Sequence, residues 1–377
     1  MKITDIEAIH LRVEDPSIGL FDGSYDDCVI RVHTDAGLTG LGEVESLAPA
    51  VQAVINAKPA HNHAFGLKEL LVGRDPTRVS QLWELMYDAT SYVGRRGLVI
   101  HAMGGIDLAL WDIKGQAEGK PVCELLGGKK RSRIEAYGTV YPMARTEAGV
   151  EQQLEQILKK WPLRNIKFAA DPWWMEDLEE TARLLATARR VLGRDRGLIV
   201  DAALAYQTAR EGLNLLPILK EVGILFLEAP LPLDDWDGHA QMAAFGVPLG
   251  VGDLGLTHVS EFIDAMERGA ATICQPDVTQ VGGFTGLLRV AEAARQRNRR
   301  VIPHGYKTNI EIAANLHFLA SHWTAELLEF STSPSPLRWE TTVEPIQIES
   351  DGKVNVPDRP GLGVTLSPEC LRRYRVP

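Results

Sequence analysis

The sequence predicts an α/β protein built on a (β/α)8 TIM barrel preceded by a separate α+β domain, and two observations carry that prediction. From residue 197 onward, short apolar runs each end in a polar side chain: "GLIVD" in Asp201, "ILFLE" in Glu228, "PLGVGD" in Asp253, "TICQPD" in Asp277, "RVIPH" in His304 and "ELLE" in Glu329. These endings recur every 24 to 27 residues. The stretches between them, such as "AREGLNLLPILKEV" and "GLLRVAEAARQRN", place apolar residues at helical spacing. Strand and helix in regular alternation predict βαβ units and a parallel sheet. The second observation is a change of texture, because the first 130 residues alternate like antiparallel strands and then turn helical.

The elements follow in order. "ITDIEAIHLRV" and "CVIRVHTDAGLTGLGEV" alternate apolar and polar residues, with "TDAG" as a hairpin turn. "PTRVSQLWELMYD" and "GLVIHAMGGIDLALWDIKGQAEGK" read as helices. "CELLGGKK", with Gly127 and Gly128, closes this α+β unit, so it is expected to span residues 1–129. "RIEAYGTVY" from Arg133 and "RNIKFAAD" around Lys167 bring the barrel strands to eight, within residues 130–340. "GKVNVPDRPGLGV" is too loop-rich to continue a barrel, which leaves 341–377 as a closing segment.

Composition narrows the function. A net charge of −10 lacks the basic footprint of a nucleic-acid binder. The four cysteines form no CxxC pair, which argues against a disulfide framework or zinc knuckle. The N-terminal stretch reads as a strand rather than a secretory signal, and no apolar run is long enough to span a bilayer, so a cytoplasmic protein is expected.

In such barrels the working residues gather at the carboxyl ends of the strands. Asp201, Glu228 and Asp253 end three consecutive strands, and three converging carboxylates would not all stay ionised without a cation. An all-oxygen ligand set favours magnesium. Taken singly, each acid reads better as a turn residue or helix cap; together, at matched strand ends, they read as a metal site. His304 follows Asp277 by one strand, and a carboxylate beside an imidazole fixes its tautomer and raises its basicity, as a general base requires. Lys167 reads equally as a pocket residue or a surface salt bridge. "VGGFTG" lacks the ending of a phosphate loop and reads as a strand-to-helix turn. His61 and His63 read as surface residues. Trp173 and Trp174 lean towards the pocket.

The chain resembles the enolase superfamily, mandelate racemase/muconate-lactonizing group. The resemblance runs nearly end to end through "GIDLALWDIKG", "PVCELLGG", "VDAALAY", "LEAPLPLDD", "QPDVTQVGGFTG", "IPHGYKTNIEIAANLH", "LLEF" and "VPDRPGLGV". It implies an N-terminal capping domain, a modified (β/α)7β barrel, and a C-terminal segment folded back onto the cap. It also implies Mg2+ on Asp201, Glu228 and Asp253, a His304–Asp277 base dyad, Glu329 as a polar partner at the last strand, and a homo-oligomer. Cap loops "EDPSIGLFDGSYDD", with Phe21 and Tyr25, and "AKPAHNHAF" would close over a small carboxylate substrate. The shared chemistry is removal of the proton beside a carboxylate, for which such sites use a Lys or His base with magnesium. Three departures matter. Ala169 stands where many members carry a second lysine, Ala203 where Asn is frequent, and Asp253 where Glu is usual. With one face lacking its base, the pattern resembles the acid-sugar dehydratases. Lys167 would then hold the substrate carboxylate, and Tyr306 or Lys307 would stand as reserve acids behind His304. An epimerase or cycloisomerase is the alternative, and a non-catalytic homologue a more distant one.

Overall fold

The computed structural model describes residues 1–14, 23–141, 144–169, 177–323 and 326–377. Phe21, Trp173 and Trp174 lie outside the described residues. The alternating N-terminal segments form an antiparallel sheet of β1 (Ile3–Arg12), β2 (Asp26–Thr34) and β3 (Thr39–Val44), in the order β1-β2-β3. The "TDAG" turn forms as expected: Thr34 N–H donates to the Leu38 carbonyl at 3.1 Å, and Gly37 takes φ +78°. Four helices cover this sheet, the longest being Leu98–Glu118. It reaches β3 closely because Gly40 and Gly42 have no side chain. A Cβ on either would lie 2.0 Å from the carbonyl oxygen of Ala109 or Gly105.

The eight expected barrel strands are all present. They are β4 (Arg133–Val140), β5 (Asn165–Ala169), β6 (Gly197–Asp201), β7 (Leu227–Glu228), β8 (Leu249–Val251), β9 (Ile273–Cys274), β10 (Arg300–Val301) and β11 (Leu328–Ser331). The ladder runs β10-β9-β8-β7-β6-β5-β4-β11, and every neighbouring pair is parallel. Its two ends meet at the mouth, where Gly305 N–H donates to Glu329 Oε2 at 3.3 Å. A helix of nine residues or more follows each of the first seven strands, whereas the helix next after β11, Pro336–Glu340, has five residues. The barrel is therefore of the modified (β/α)7β kind. Thr146, Asp177, Thr208, Asp235 and Thr308 each accept a backbone N–H at a helix start. Such a cap contributes about 1 kcal/mol.

The loop-rich C-terminal stretch departs from the sequence expectation in one detail. It supplies a short strand, β12 (Lys353–Asn355), antiparallel to the start of β4. Beyond it, Leu362 N–H donates to the buried Asp112 Oδ1 at 2.8 Å, and Val376 N–H to the His10 carbonyl at 2.9 Å. Asp112 Oδ2 also accepts from Leu41 N–H, so one carboxylate ties β3, the long helix and the chain end together.

Candidate active site

A strand turns alternate side chains to opposite faces. Tyr137, Ile199, Phe226, Ile273 and Ile302 form an apolar cluster of their own, with Leu327 packed against it. Two residues further along the same strands come Thr139, Asp201, Glu228, Gln275, His304 and Glu329. The apolar layer thus fills the barrel, and the polar layer is the next one towards the carboxyl-end mouth.

Asp201, Glu228 and Asp253 come together as the sequence suggests, with one oxygen of each within 4.8 Å of the others. All three are buried. Burial, together with Asp201 and Asp253 and against the pull of Lys167, pushes Glu228 up to about 8. Burial and Asp201 push Asp253 up to about 6. Asp253 Oδ1 is buried without a hydrogen-bond partner among the described residues. An orphaned anionic oxygen beside two more carboxylates fits a hard cation. The donor set is all oxygen, so the residues present fit magnesium. Ala203, at φ +44°, lies in the left-handed region where Asn is favoured over Ala, yet its N–H still donates to Asp201 Oδ1 at 2.9 Å.

Lys167 is only 2% exposed, so the surface salt-bridge reading fails. Its Nζ lies 2.5 Å from Glu228 Oε1, 2.8 Å from Glu329 Oε1 and 3.6 Å from Asp201 Oδ2. Burial opposes the charge, but these carboxylates outweigh it and hold the ammonium well above its ordinary range.

His304 Nδ1 lies 2.7 Å from Asp277 Oδ2, and its Nε2 lies 3.9 Å from Glu329 Oε2. Burial disfavours the imidazolium, yet Glu329 and Asp277 reverse that and raise His304 well above 6.5. Glu329 is lowered despite its burial, chiefly by Lys167 and His304, and accepts from Tyr137 OH at 3.0 Å and Thr139 Oγ1 at 2.5 Å. Tyr306 is buried with its ring edge-on to Tyr141, 5.7 Å between centroids. Lys307 points at the cap, donating to the carbonyls of Gly23 (2.5 Å) and Asp26 (3.1 Å). Together with Tyr25, Arg12 and Glu45 it lines a cavity of about 510 Å3 in which Lys307 is the one barrel residue and the other lining residues come from the cap. His61 and His63 are exposed.

Sequence reasoning missed Gln275, Tyr137, Thr139, Thr279 and Glu45. Gln275 Nε2 donates to Glu228 Oε2 at 2.6 Å. The signal for Gln275, Tyr137 and Thr139 was period two: Gln275 precedes Asp277 by two, and Tyr137 and Thr139 share one face of β4. Glu45 reaches the site from the cap, with an oxygen within 4.8 Å of ligand atoms on Asp277, His304 and Glu311.

Fold and site together define a capped barrel enzyme with an acidic, imidazole-bearing mouth. The chain belongs to the mandelate racemase/muconate lactonizing enzyme family, within the enolase superfamily. Residues 24–127 match the mandelate racemase/muconate lactonizing enzyme N-terminal domain, and residues 149–370 the enolase C-terminal domain-like family. It is 30% identical to D-galactarolactone cycloisomerase of Agrobacterium fabrum over 362 residues, 93% of this chain and 91% of that one. It is 32% identical to arabinonate dehydratase of Saccharolobus solfataricus over 361 residues, 95% and 92% of the two chains. The crystal structure of 3,6-anhydro-D-galactonate cycloisomerase from Zobellia galactanivorans superposes with a TM-score of 0.88 at 27% identity, covering 100% of both chains. Among the described residues no helix is long and apolar enough to cross a membrane.

Proposed function

We propose that this chain is a magnesium-dependent dehydratase of a sugar acid or related hydroxy acid, giving a 2-keto-3-deoxy acid. The observation that carries the reading is that, among the described residues, β5 brings no proton-accepting group to the mouth beside the His304–Asp277 pair. Ala169, paired in register with Asp201, has no group to move a proton. Lys167 is held as an ammonium by three carboxylates, so it cannot accept one readily.

Asp201, Glu228 and Asp253 would hold the cation. When bound, it withdraws charge from a substrate carboxylate and so acidifies the neighbouring C–H bond. His304 Nε2 takes the α-proton, because Nδ1 is committed to Asp277. Lys167, as a fixed positive charge, orients the substrate carboxylate. The electron pair returning from the enediolate expels the neighbouring hydroxyl, and His304, now an imidazolium, supplies the proton that makes water the leaving group. The resulting enol ketonises. Lys307 is engaged with cap carbonyls, which favours His304 as the acid.

A second reading has support in the 30% identical relative named as a cycloisomerase. The same α-proton loss would then expel a ring oxygen instead of a hydroxyl, and no water would be lost. Incubating the enzyme with a panel of linear and cyclic sugar acids in deuterated water, with and without EDTA, separates the cases by NMR. A 2-keto-3-deoxy product that vanishes in EDTA is expected. A product that retains every hydroxyl with an inverted α-carbon would refute dehydration in favour of epimerisation, and an isomer opened without loss of water would favour cycloisomerisation.

A further inference from the structure

Both loops that carry the imidazole–carboxylate pair are gripped by the capping domain, and the grips meet at the end of β3. On the His304 side, the Glu43 carboxylate accepts from Thr308 N–H (3.1 Å), the Thr308 hydroxyl (2.9 Å) and Glu311 N–H (2.8 Å). On the Asp277 side, Glu45 N–H donates to Thr279 Oγ1 at 3.1 Å. That hydroxyl donates in turn to Asp277 Oδ1 at 2.7 Å, and Thr279 N–H reaches the same oxygen at 2.6 Å. The other oxygen of Asp277 holds His304 Nδ1. Thr279 is fully buried.

The rest of the Asp277 loop is held by the cap as well. The Trp83 indole N–H donates to the Gly282 carbonyl at 2.8 Å, and Asp107 accepts from both the N–H (3.0 Å) and hydroxyl (2.6 Å) of Thr285. At Gly104 the long cap helix passes so close that a Cβ would lie 2.7 Å from the Thr279 carbonyl oxygen.

A hydroxyl carries one hydrogen and two lone pairs, so Thr279 can accept from the cap while donating to Asp277. We propose that Thr279 is a positioning residue for the His304–Asp277 pair, and that the capping domain orients it through the Glu45 N–H. The cap thereby does more than cover substrate: its docking sets the carboxylate that aligns the imidazole. Other charged groups face the pair. Glu329 lies 3.9 Å from His304 Nε2, Glu45 and Glu311 each have an oxygen within 4.8 Å of the pair, and Lys307 lies 3.8 Å from Glu45. Thr279→Val leaves all of these in place and removes only the hydroxyl.

The test compares wild type, Thr279→Val and Thr279→Ser, with Gly104→Ala as a variant that touches neither member of the pair. In substrate-free enzyme, the downfield NMR signal of the His304 Nδ1 proton should broaden or vanish in Thr279→Val and Gly104→Ala and persist in Thr279→Ser. The Glu45 amide, losing its acceptor, should exchange with solvent faster in Thr279→Val only. The kinetic arm rests on the proposed function. Since a positioned base contributes about 10²–10⁴-fold, Thr279→Val should lose roughly 10–100-fold in kcat with KM little changed, and serine should restore most of it. If Thr279→Val folds normally with an unaltered His304 signal, the positioning role is wrong. An unaltered Glu45 exchange rate would overturn the link to the cap. A His304 signal that responds as expected in an enzyme inactive on every sugar acid supports the positioning role and counts against the proposed function alone.

Discussion

Lowering the pH from 8 to 6 should weaken divalent-cation binding at the three-carboxylate cluster by about a hundredfold. The cation competes with protons for the same oxygens. Glu228 is pushed up to about 8 and Asp253 to about 6. At pH 8 only about half of Glu228 carries a proton. At pH 6 nearly all of it does, and so does half of Asp253; the product of the two penalties is roughly 10², or ~2.7 kcal/mol. Burial first, and the neighbouring carboxylates after it, raise both pKa values on folding. The cation-free fold is therefore spared this cost of burial and repulsion below the ordinary carboxylate range of ~4. It bears the cost increasingly as pH rises to about 6 for Asp253 and about 8 for Glu228. A bound cation removes the repulsion, so its stabilising effect must grow in the same direction. The assay is calorimetric titration of magnesium or manganese at pH 6, 7 and 8. Repeating it in buffers of different ionisation enthalpy counts about one proton released near pH 7. Glu228→Gln should remove most of the slope along with most of the affinity. Affinity that stays flat or falls as pH rises would refute the reasoning, because it would mean the three carboxylates are ionised without a cation.

Other expectations follow from the same geometry. Lys167→Met strands the ionised Glu329 without its buried partner, and breaking such a pair costs about 3–5 kcal/mol, readable in urea unfolding at neutral pH. Stability equal to wild type would show that the ammonium is not what balances the cluster. Glu329→Gln removes the charge that does most to hold His304 above its ordinary pKa, so the acidic limb of the kcat/KM profile should move to lower pH. A limb that stays put would assign it to a group other than His304. Gly42→Ala places a Cβ 2.0 Å from the Gly105 carbonyl, so thermal melts should show a loss of about 1–3 kcal/mol or more. An unchanged melting temperature would mean the long helix can retreat from β3.

Much of the site was legible because period two and the barrel repeat act on the same residues. A strand that must fill a dry interior and end at a mouth shows both facts as an apolar run with a polar last residue, and Asp201, Glu228, Asp253, Asp277, His304 and Glu329 all carry that signature. Gln275, Tyr137 and Thr139 carried it too, but one polar strand residue has many uses, and only the neighbouring strand shows which. Tyr137 and Thr139 meet Glu329 because β4 pairs with β11, the strand furthest from it in the barrel sequence.

The sequence by itself determined the barrel, the cap ahead of it, and which side chains stand at the mouth, since periodicity and strand-to-strand spacing are local properties. The tertiary structure decided which of those side chains meet. Lys167 read equally well as a surface charge, and became the centre of the cluster only when ring closure brought β7 and β11 to either side of it. The contribution of the cap was out of reach for the same reason. Glu45 lies more than two hundred residues from Thr279, and its part in the contact is a backbone N–H, a group every residue but proline possesses and no side-chain pattern reveals.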